Sequence, residues 1–227
     1  MSKKILKLIK KTRSQLAWPV SEQIQGNVCM ITSDHQAHTH LISLPEPNSS
    51  PRPIEHLHEL GHALLCEKIH PQFSTQYFDN ATPEILDRVR PVTQAATDWF
   101  IDAWLMSVCP AEERAQIEEH FSLIRRFLRE NPTGSPDMFY GAAMVIAQAQ
   151  KYCGREISTV GKLRQAVGVF LSVDPARPTV FALATLLNRL LAVFYADRVR
   201  LEDGAWMCFE TEGEPGQPET GVGAPPG

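Results

Sequence analysis

The sequence predicts an α+β protein, mostly helical, and three observations predict it. Two short segments near the N-terminus alternate apolar and polar residues as strands do, 26–33 (GNVCMITS) and 37–44 (AHTHLISL). A run at about 54–70, bounded by Pro53 and Pro71, carries leucines at helical spacing and opens a series of further helical runs. Asp203-Gly204, flanked by alternating apolar residues between Arg198 and Glu210, is the favoured two-residue turn of a β-hairpin. The expected layout is a small N-terminal antiparallel sheet, one central helix, a C-terminal helical bundle and a hairpin near the C-terminus.

The elements follow in order. Residues 1–18 read as a basic amphipathic helix, with Lys3, Lys4, Lys7, Lys10, Lys11 and Arg13 around a stripe of Ile5, Leu8, Ile9 and Leu16. Such a stripe docks on its own domain, and a segment of this kind can instead meet an acidic membrane or DNA. Docking is the first expectation here. A single domain is expected over 19–210. Its strands at 26–33 and 37–44 meet at the turn Asp34-His35-Gln36, and the loop 45–51 leads into the helix at 54–70. After an irregular stretch at 71–82, helices are expected at 91–108, 110–130, 135–152, 158–171 and 179–196. Pro110, Pro136, Ser158 or Thr159, and Thr179 mark the starts, and Asn131-Pro132-Thr133-Gly134 is a stop. Residues 211–227 (TEGEPGQPETGVGAPPG) have almost nothing to bury and read as a disordered tail.

Composition bounds the function. The chain has 227 residues, 43% hydrophobic and 21% charged, which is enough for one sizeable core. A net charge of -4 gives no global attraction to nucleic acid, and no apolar run reaches the length of a membrane span. The lysine-studded start lacks the apolar stretch and cleavage site of a secretory signal. The 5 cysteines are scattered and form no C-x-x-C pair. They fit buried thiols in a reducing, cytoplasmic setting and neither a disulfide framework nor a zinc knuckle.

The chemistry concentrates in His58-Glu59-Leu60-Gly61-His62, an H-E-x-x-H motif inside the expected helix. Histidines four apart share one helix face, so both imidazoles can hold one Zn2+, while Glu59 reaches the position of a reacting water as general base. Leu57, Leu60, Leu64 and Leu65 give this helix a buried side, and Gly61 would let a strand or substrate approach. A catalytic zinc takes a third protein ligand. The best candidates are Asp98 and Asp102, one turn apart on a helix otherwise rich in Trp99, Phe100, Ile101, Trp104 and Leu105. Carboxylates there are costly to bury unless a metal and its histidines compensate. The assignment is Asp98 on the metal and Asp102 accepting a hydrogen bond from a ligand histidine, with the reverse order left open. Asp79, Glu84 and Asp87 lie in loop-like or polar stretches and rank lower.

With these residues in hand, the chain resembles the zincin metallopeptidases. More narrowly, residues 26–110 resemble the small gluzincin-like peptidases of the ImmA/IrrE type, in which a short sheet precedes HELGH and a later helix brings the third ligand. HELGH with Ala63-Leu64-Leu65 carries the likeness, and Phe100 and Leu105-Met106 match loosely. Ala96 stands where that family's ligand glutamate falls, and Ser107 where its proline does. Asp98-x-x-x-Asp102 is instead similar to the thermolysin-type E-x-x-x-D pattern. The resemblance implies a zinc-dependent endopeptidase acting on a dedicated protein substrate. A zincin scaffold that binds a protein partner, or a regulator bound to DNA or membrane, is the alternative reading.

A peptide substrate is expected along the 37–44 strand by β-augmentation. His38 and His40 share a strand face and read as edge-strand surface residues, or as contacts to substrate. His56 points away from the ligand face, and His35, His70 and His120 read as solvent histidines. Tyr77 or Tyr140 is a candidate donor to a tetrahedral intermediate. No Gly-rich phosphate loop and no G-x-S-x-G context is present.

Overall fold

The computed structural model describes residues 3–25, 27–45, 53–130 and 136–210, with the side chains of 136 and 137 excluded. The loop expected at 45–51, apart from Pro45, the helix stop at 131–134 and the tail expected at 211–227 lie outside the described residues. The fold is α+β and mostly helical, as its amphipathic runs require. It comprises α1 (Lys3–Arg13), β1 (Val20–Ile24), β2 (Met30–Asp34), β3 (Thr39–Leu44), α2 (Pro53–Lys68), α3 (Pro83–Val108), α4 (Pro110–Glu130), α5 (Pro136–Cys153), α6 (Gly161–Leu171), α7 (Val180–Phe194), β4 (Asp197–Glu202) and β5 (Ala205–Glu210).

The basic helix α1 docks. Ile5 is buried with Ile54 and Leu57 of α2 and Leu105 and Cys109 at the end of α3, while Lys3, Lys7, Lys10 and Lys11 stay exposed. Its C-terminal Lys10, Lys11 and Arg13 complement the helix dipole.

The expected N-terminal hairpin is present and gains a third strand. β2 and β3 do pair antiparallel, but β1 pairs parallel with β3, so the order is β1-β3-β2. Strand signals rest on side-chain burial, and β1 buries none of its side chains: four of its five residues are exposed. The consequence is functional. β3 is the central strand, hydrogen-bonded on both sides, so the 37–44 strand has no edge for a peptide; the outer strand on the α2 side is β2. His40 is likewise no surface residue. It is fully buried, with Nδ1 2.7 Å from Ser33 Oγ and Nε2 3.0 Å from Glu67 Oε1. Glu67 also accepts from the Ala17 and Trp18 amides at 2.7 and 2.9 Å, tying the chain after α1 to the end of α2. His38 lies outside the strand at positive φ (53°) and stacks on Trp18.

α2 sits at the centre of this half. Ile31 and Ile42 of the sheet pack on Leu60 and Ala63. α3 crosses its other side. It starts eight residues earlier than Pro91 predicts, capped by Thr82, whose Oγ1 accepts from the Ile85 amide, with Pro83 in the first turn. Pro91 forgoes one backbone bond without ending the helix, because Val89, Val92, Ala95, Ala96 and Trp99 continue one buried stripe through it.

The C-terminal helices enclose the main core, with Trp99, Phe100, Tyr140, Ile146, Phe170, Leu186, Leu190 and Trp206 fully buried or nearly so. α6 begins at Gly161, at positive φ (57°), so neither Ser158 nor Thr159 caps it; Thr179 does cap α7, accepting from the Ala182 amide. Asp203 (φ 47°) and Gly204 (φ 84°) form the predicted tight turn. The hairpin is fixed by Asn188, which bonds both the amide and the carbonyl of Val199, and by a fork of Arg88 onto Asp197 at 2.7 and 2.8 Å. Among the described residues no helix is long and apolar enough to cross a membrane, and Cys29, Cys66, Cys109, Cys153 and Cys208 are all free thiols.

Candidate metal centre

α2 presents His58 and His62 from consecutive turns, their Nε2 atoms 3.1 Å apart. Across the α2–α3 crossing, Asp98 Oδ1 stands 3.2 Å from His62 Nε2 and 3.5 Å from His58 Nε2. Among the described residues, these three form the group whose donor atoms lie close enough together to hold one metal ion. Ligands about 2.0–2.1 Å from a tetrahedral zinc are about 3.3–3.4 Å from one another. The observed triangle, with edges of 3.1, 3.2 and 3.5 Å, has that size.

The outer nitrogens decide which lone pairs face inward. His62 Nδ1 is 2.6 Å from the Phe73 carbonyl oxygen, which can only accept, so Nδ1 carries the proton. His58 Nδ1 is 2.9 Å from Asp102 Oδ1 and donates to it; Asp102 Oδ2 accepts from Gln148 Nε2 at 2.6 Å. Both Nε2 atoms are thereby left as acceptors aimed at each other and at a carboxylate, an arrangement a cation resolves. The donor set therefore fits Zn2+ chemically as well as in size. Asp98 lies on the Nε2 side of both histidines and Asp102 on the Nδ1 side of His58.

Electrostatics report the same demand for positive charge. Burial disfavours a charged His58, but the facing carboxylates of Asp102 and Asp98 outweigh it and raise its pKa well above the usual 6.5. His62 is raised too, its burial outweighed chiefly by Asp98. Burial would raise Asp98; its bonds to His58 and His62 hold it far below the ordinary carboxylate range instead.

Asp98 reaches this position because the helices approach closely at Gly61. A β-carbon there would meet the Trp104 ring at 2.8 Å and Ile101 at 2.9 Å. The expected freedom at Gly61 thus serves α3, and neither a strand nor a substrate.

Glu59 faces the cleft beside the triangle, where its Oε2 accepts from the Ile31 amide of β2 at 2.8 Å. The cleft, about 480 Å3, runs between β2 and α3, bordered by Val28–Thr32 on one side and Arg90, Gln94, Thr97 and Asp98 on the other. A second hollow of about 330 Å3 shares Val28, Cys29, His58 and Glu59 and extends to Asn27, Pro45 and Gln116. The hollow therefore adjoins the cleft at His58 and Glu59.

Several expected participants lie elsewhere. Tyr140 is fully buried and donates to the Leu190 carbonyl, and Tyr77 donates to the Ser33 carbonyl, so neither hydroxyl serves the centre. Asp79, Glu84 and Asp87 are not in the triangle, although Glu84 and Asp87 are helical rather than loop residues. His56 turns to Glu22 at 3.5 Å. Half-buried His70 caps a short turn at Pro71–Phe73, and half-buried His35 packs edge-on against Tyr77.

Sequence reasoning missed three partners: the Phe73 carbonyl, the Ile31 amide and Gln148. The first two are backbone groups, which no residue type announces. Gln148 left a faint signal as a polar residue within the apolar run Met144–Ala149. Glu113 of α4, close enough to Asp102 and His58 to feel their charges, was also missed. It is 2% exposed with Oε2 unpartnered, and burial, with the charge of Asp102 adding, pushes its pKa up to about 9. No family model, curated protein or solved structure matches the chain.

Proposed function

We propose that the protein is a zinc-dependent endopeptidase acting inside the cell. The observation that carries the reading is the triangle of His58, His62 and Asp98 donor atoms beside Glu59 on an open cleft. His58, His62 and Asp98 would hold the ion, and Asp102 and the Phe73 carbonyl would orient the two imidazoles. Zn2+ bound there supplies Lewis acidity to a substrate carbonyl and acidifies water.

The remaining work belongs to the chain. Glu59, steadied by the Ile31 amide, takes the proton of the attacking water and passes it to the leaving amine. An extended peptide lies in the cleft beside residues 28–32, at the start of the outer strand β2, in place of the central β3, without pairing to the Ile31 and Ser33 amides, which Glu59 and Thr75 already take. The hollow that adjoins the cleft at His58 and Glu59 leaves room for chain beyond the centre, which favours an endopeptidase over an exopeptidase. Free, mostly buried thiols support a reducing compartment.

The test combines metal analysis with a peptide library. Protein purified without chelators should hold close to one equivalent of zinc, and Glu59→Gln should keep that zinc while cleavage falls by about a hundredfold or more. Protein that neither carries nor takes up zinc overturns the assignment. Zinc retained with no cleavage of any peptide leaves a metal-holding binding module in place of the enzyme.

A further inference from the structure

A second cavity, of about 580 Å3, lies between α4, α5, α6 and α7 and shares no lining residue with the metal-centre groove. Its volume is that of sites that enclose small organic molecules. Leu128, Phe139, Leu163 and Phe194 offer it half-buried apolar surface, and the Phe139 and Phe194 rings stack at 6.1 Å. Its polar lining has one sign. Arg125 and Arg129 come from α4 and Lys162 from α6, and among the described residues no acidic side chain lines the cavity.

This charge is uncompensated where compensation was easy. Arg125 and Arg129 are four apart on one helix face, a spacing at which like charges repel by a few tenths of a kcal/mol. The intervening Arg126 is paired with Glu130 at 3.0 Å, whereas Arg125, Arg129 and Lys162 have no acidic partner among the described residues. Lys162 places its ammonium 4.7 Å from the centre of the Phe194 ring, at the boundary between apolar wall and cationic rim. An apolar pocket with three cations at its mouth complements one ligand chemistry. The apolar part of such a ligand is drawn from water by the aromatic wall, and its anionic head meets the two guanidinium groups and the ammonium.

We propose that this cavity binds a small amphipathic carboxylate, with its apolar body against Phe139 and Phe194 and its head held by Arg125, Arg129 and Lys162. The site is separate from the metal centre and does not depend on the peptidase reading. Calorimetric titration of the full chain with dodecanoate, kept below its micelle concentration, tests it, with dodecanol as the neutral counterpart. Dodecanoate should bind at least about tenfold more tightly than dodecanol. Arg129→Gln with Lys162→Gln should remove that preference while dodecanol binding stays the same. Both side chains are exposed, so the fold is retained. Equal binding of the two probes, or no binding of dodecanoate, overturns the proposal. So does dodecanoate binding that survives the double substitution but is lost in Asp98→Ala, since that places the carboxylate on the metal centre.

Discussion

The indole of Trp104 lies against Gly61 so closely that a β-carbon at position 61 would stand 2.8 Å from two of its ring atoms. This contact sets the spacing of α2 and α3, and with it the reach of Asp98. A carboxylate on a short side chain can join two imidazoles only across closely packed helices, and glycine is the residue that permits that packing. The proposed aspartate ligand and the glycine of HELGH are thus parts of one solution.

Gly61→Ala should therefore damage the centre as well as the fold. The helix-propensity gain of about 1 kcal/mol is offset by overpacking of about 1–3 kcal/mol against Trp104 and Ile101. Zinc affinity should fall, and Asp98→Glu added to Gly61→Ala should restore part of it, because the longer side chain spans wider helices. Competition with a chromophoric chelator reads both effects. A double variant no better than Gly61→Ala alone would show that spacing is not what the glycine provides.

Asp98 and Asp102 should separate cleanly in metal binding. Asp102→Asn keeps the size of the side chain but loses the charge that meets His58 Nδ1, and should weaken zinc by about 10–100-fold. Asp98→Ala removes a proposed ligand and should weaken it more. Equal effects, or the opposite order, would reverse the two roles.

Zinc binding should weaken steadily as pH falls, because protons compete for the Nε2 atoms. The raised pKa values of His58 and His62 extend that competition above the ordinary histidine range. For the metal-free protein the sign is opposite. A histidine raised in the folded state contributes stability that is complete below its unfolded pKa near 6.5 and is lost as pH rises through its folded pKa. Zinc should therefore raise the melting temperature more at pH 8 than at pH 6. A shift independent of pH would mean that these imidazoles do not bind the metal.

Glu113 should make the metal-free protein less stable as pH rises. Its folded pKa of about 9 exceeds the reference 4.5, so the folded state holds a proton that the unfolded state releases across that interval. Glu113→Gln should flatten the decline between about pH 5 and pH 9 while leaving stability at pH 5 close to that of the wild type. Denaturant titrations at several pH values measure it, and parallel curves for the two proteins would count against a buried neutral acid.

Among the described residues that line the cleft, Arg90 is the one arginine or lysine, on the same helix as Asp98 and two turns before it. If the protein cleaves peptides, those with an Asp or Glu a few residues from the scissile bond should be preferred, and Arg90→Glu should reverse the preference toward Lys and Arg. Mass-spectrometric profiling of a peptide library reads the change; an unaltered cleavage profile would remove Arg90 from substrate selection.

Local pattern carried much of the architecture. The helix at Pro53–Lys68 lies between its marking prolines, Pro110 starts α4, Thr179 caps α7, and Asp203-Gly204 turns the hairpin as their backbone preferences require. Misreadings arose where a single residue's bias was overruled by packing. Pro91 lies inside α3 because the buried stripe runs through it, and Val20–Ile24 is a strand because β3 needed a partner, although its own side chains bury nothing. That missed strand moved β3 to the middle of the sheet and transferred the cleft edge to β2.

By itself the sequence determined the donor types and their helical spacing. His58 and His62 share a face, and Asp98 and Asp102 form a pair on a later apolar helix, because 3.6 residues per turn and the cost of burying charge are local rules. Only the tertiary structure decided what those donors face. The crossing at Gly61 brings Asp98 to the two Nε2 atoms; the Phe73 carbonyl and Asp102 take the two Nδ1 atoms; the Ile31 amide holds Glu59. These are contacts between residues far apart in the chain or made by backbone groups, and their geometry exists only once the helices and the sheet have packed.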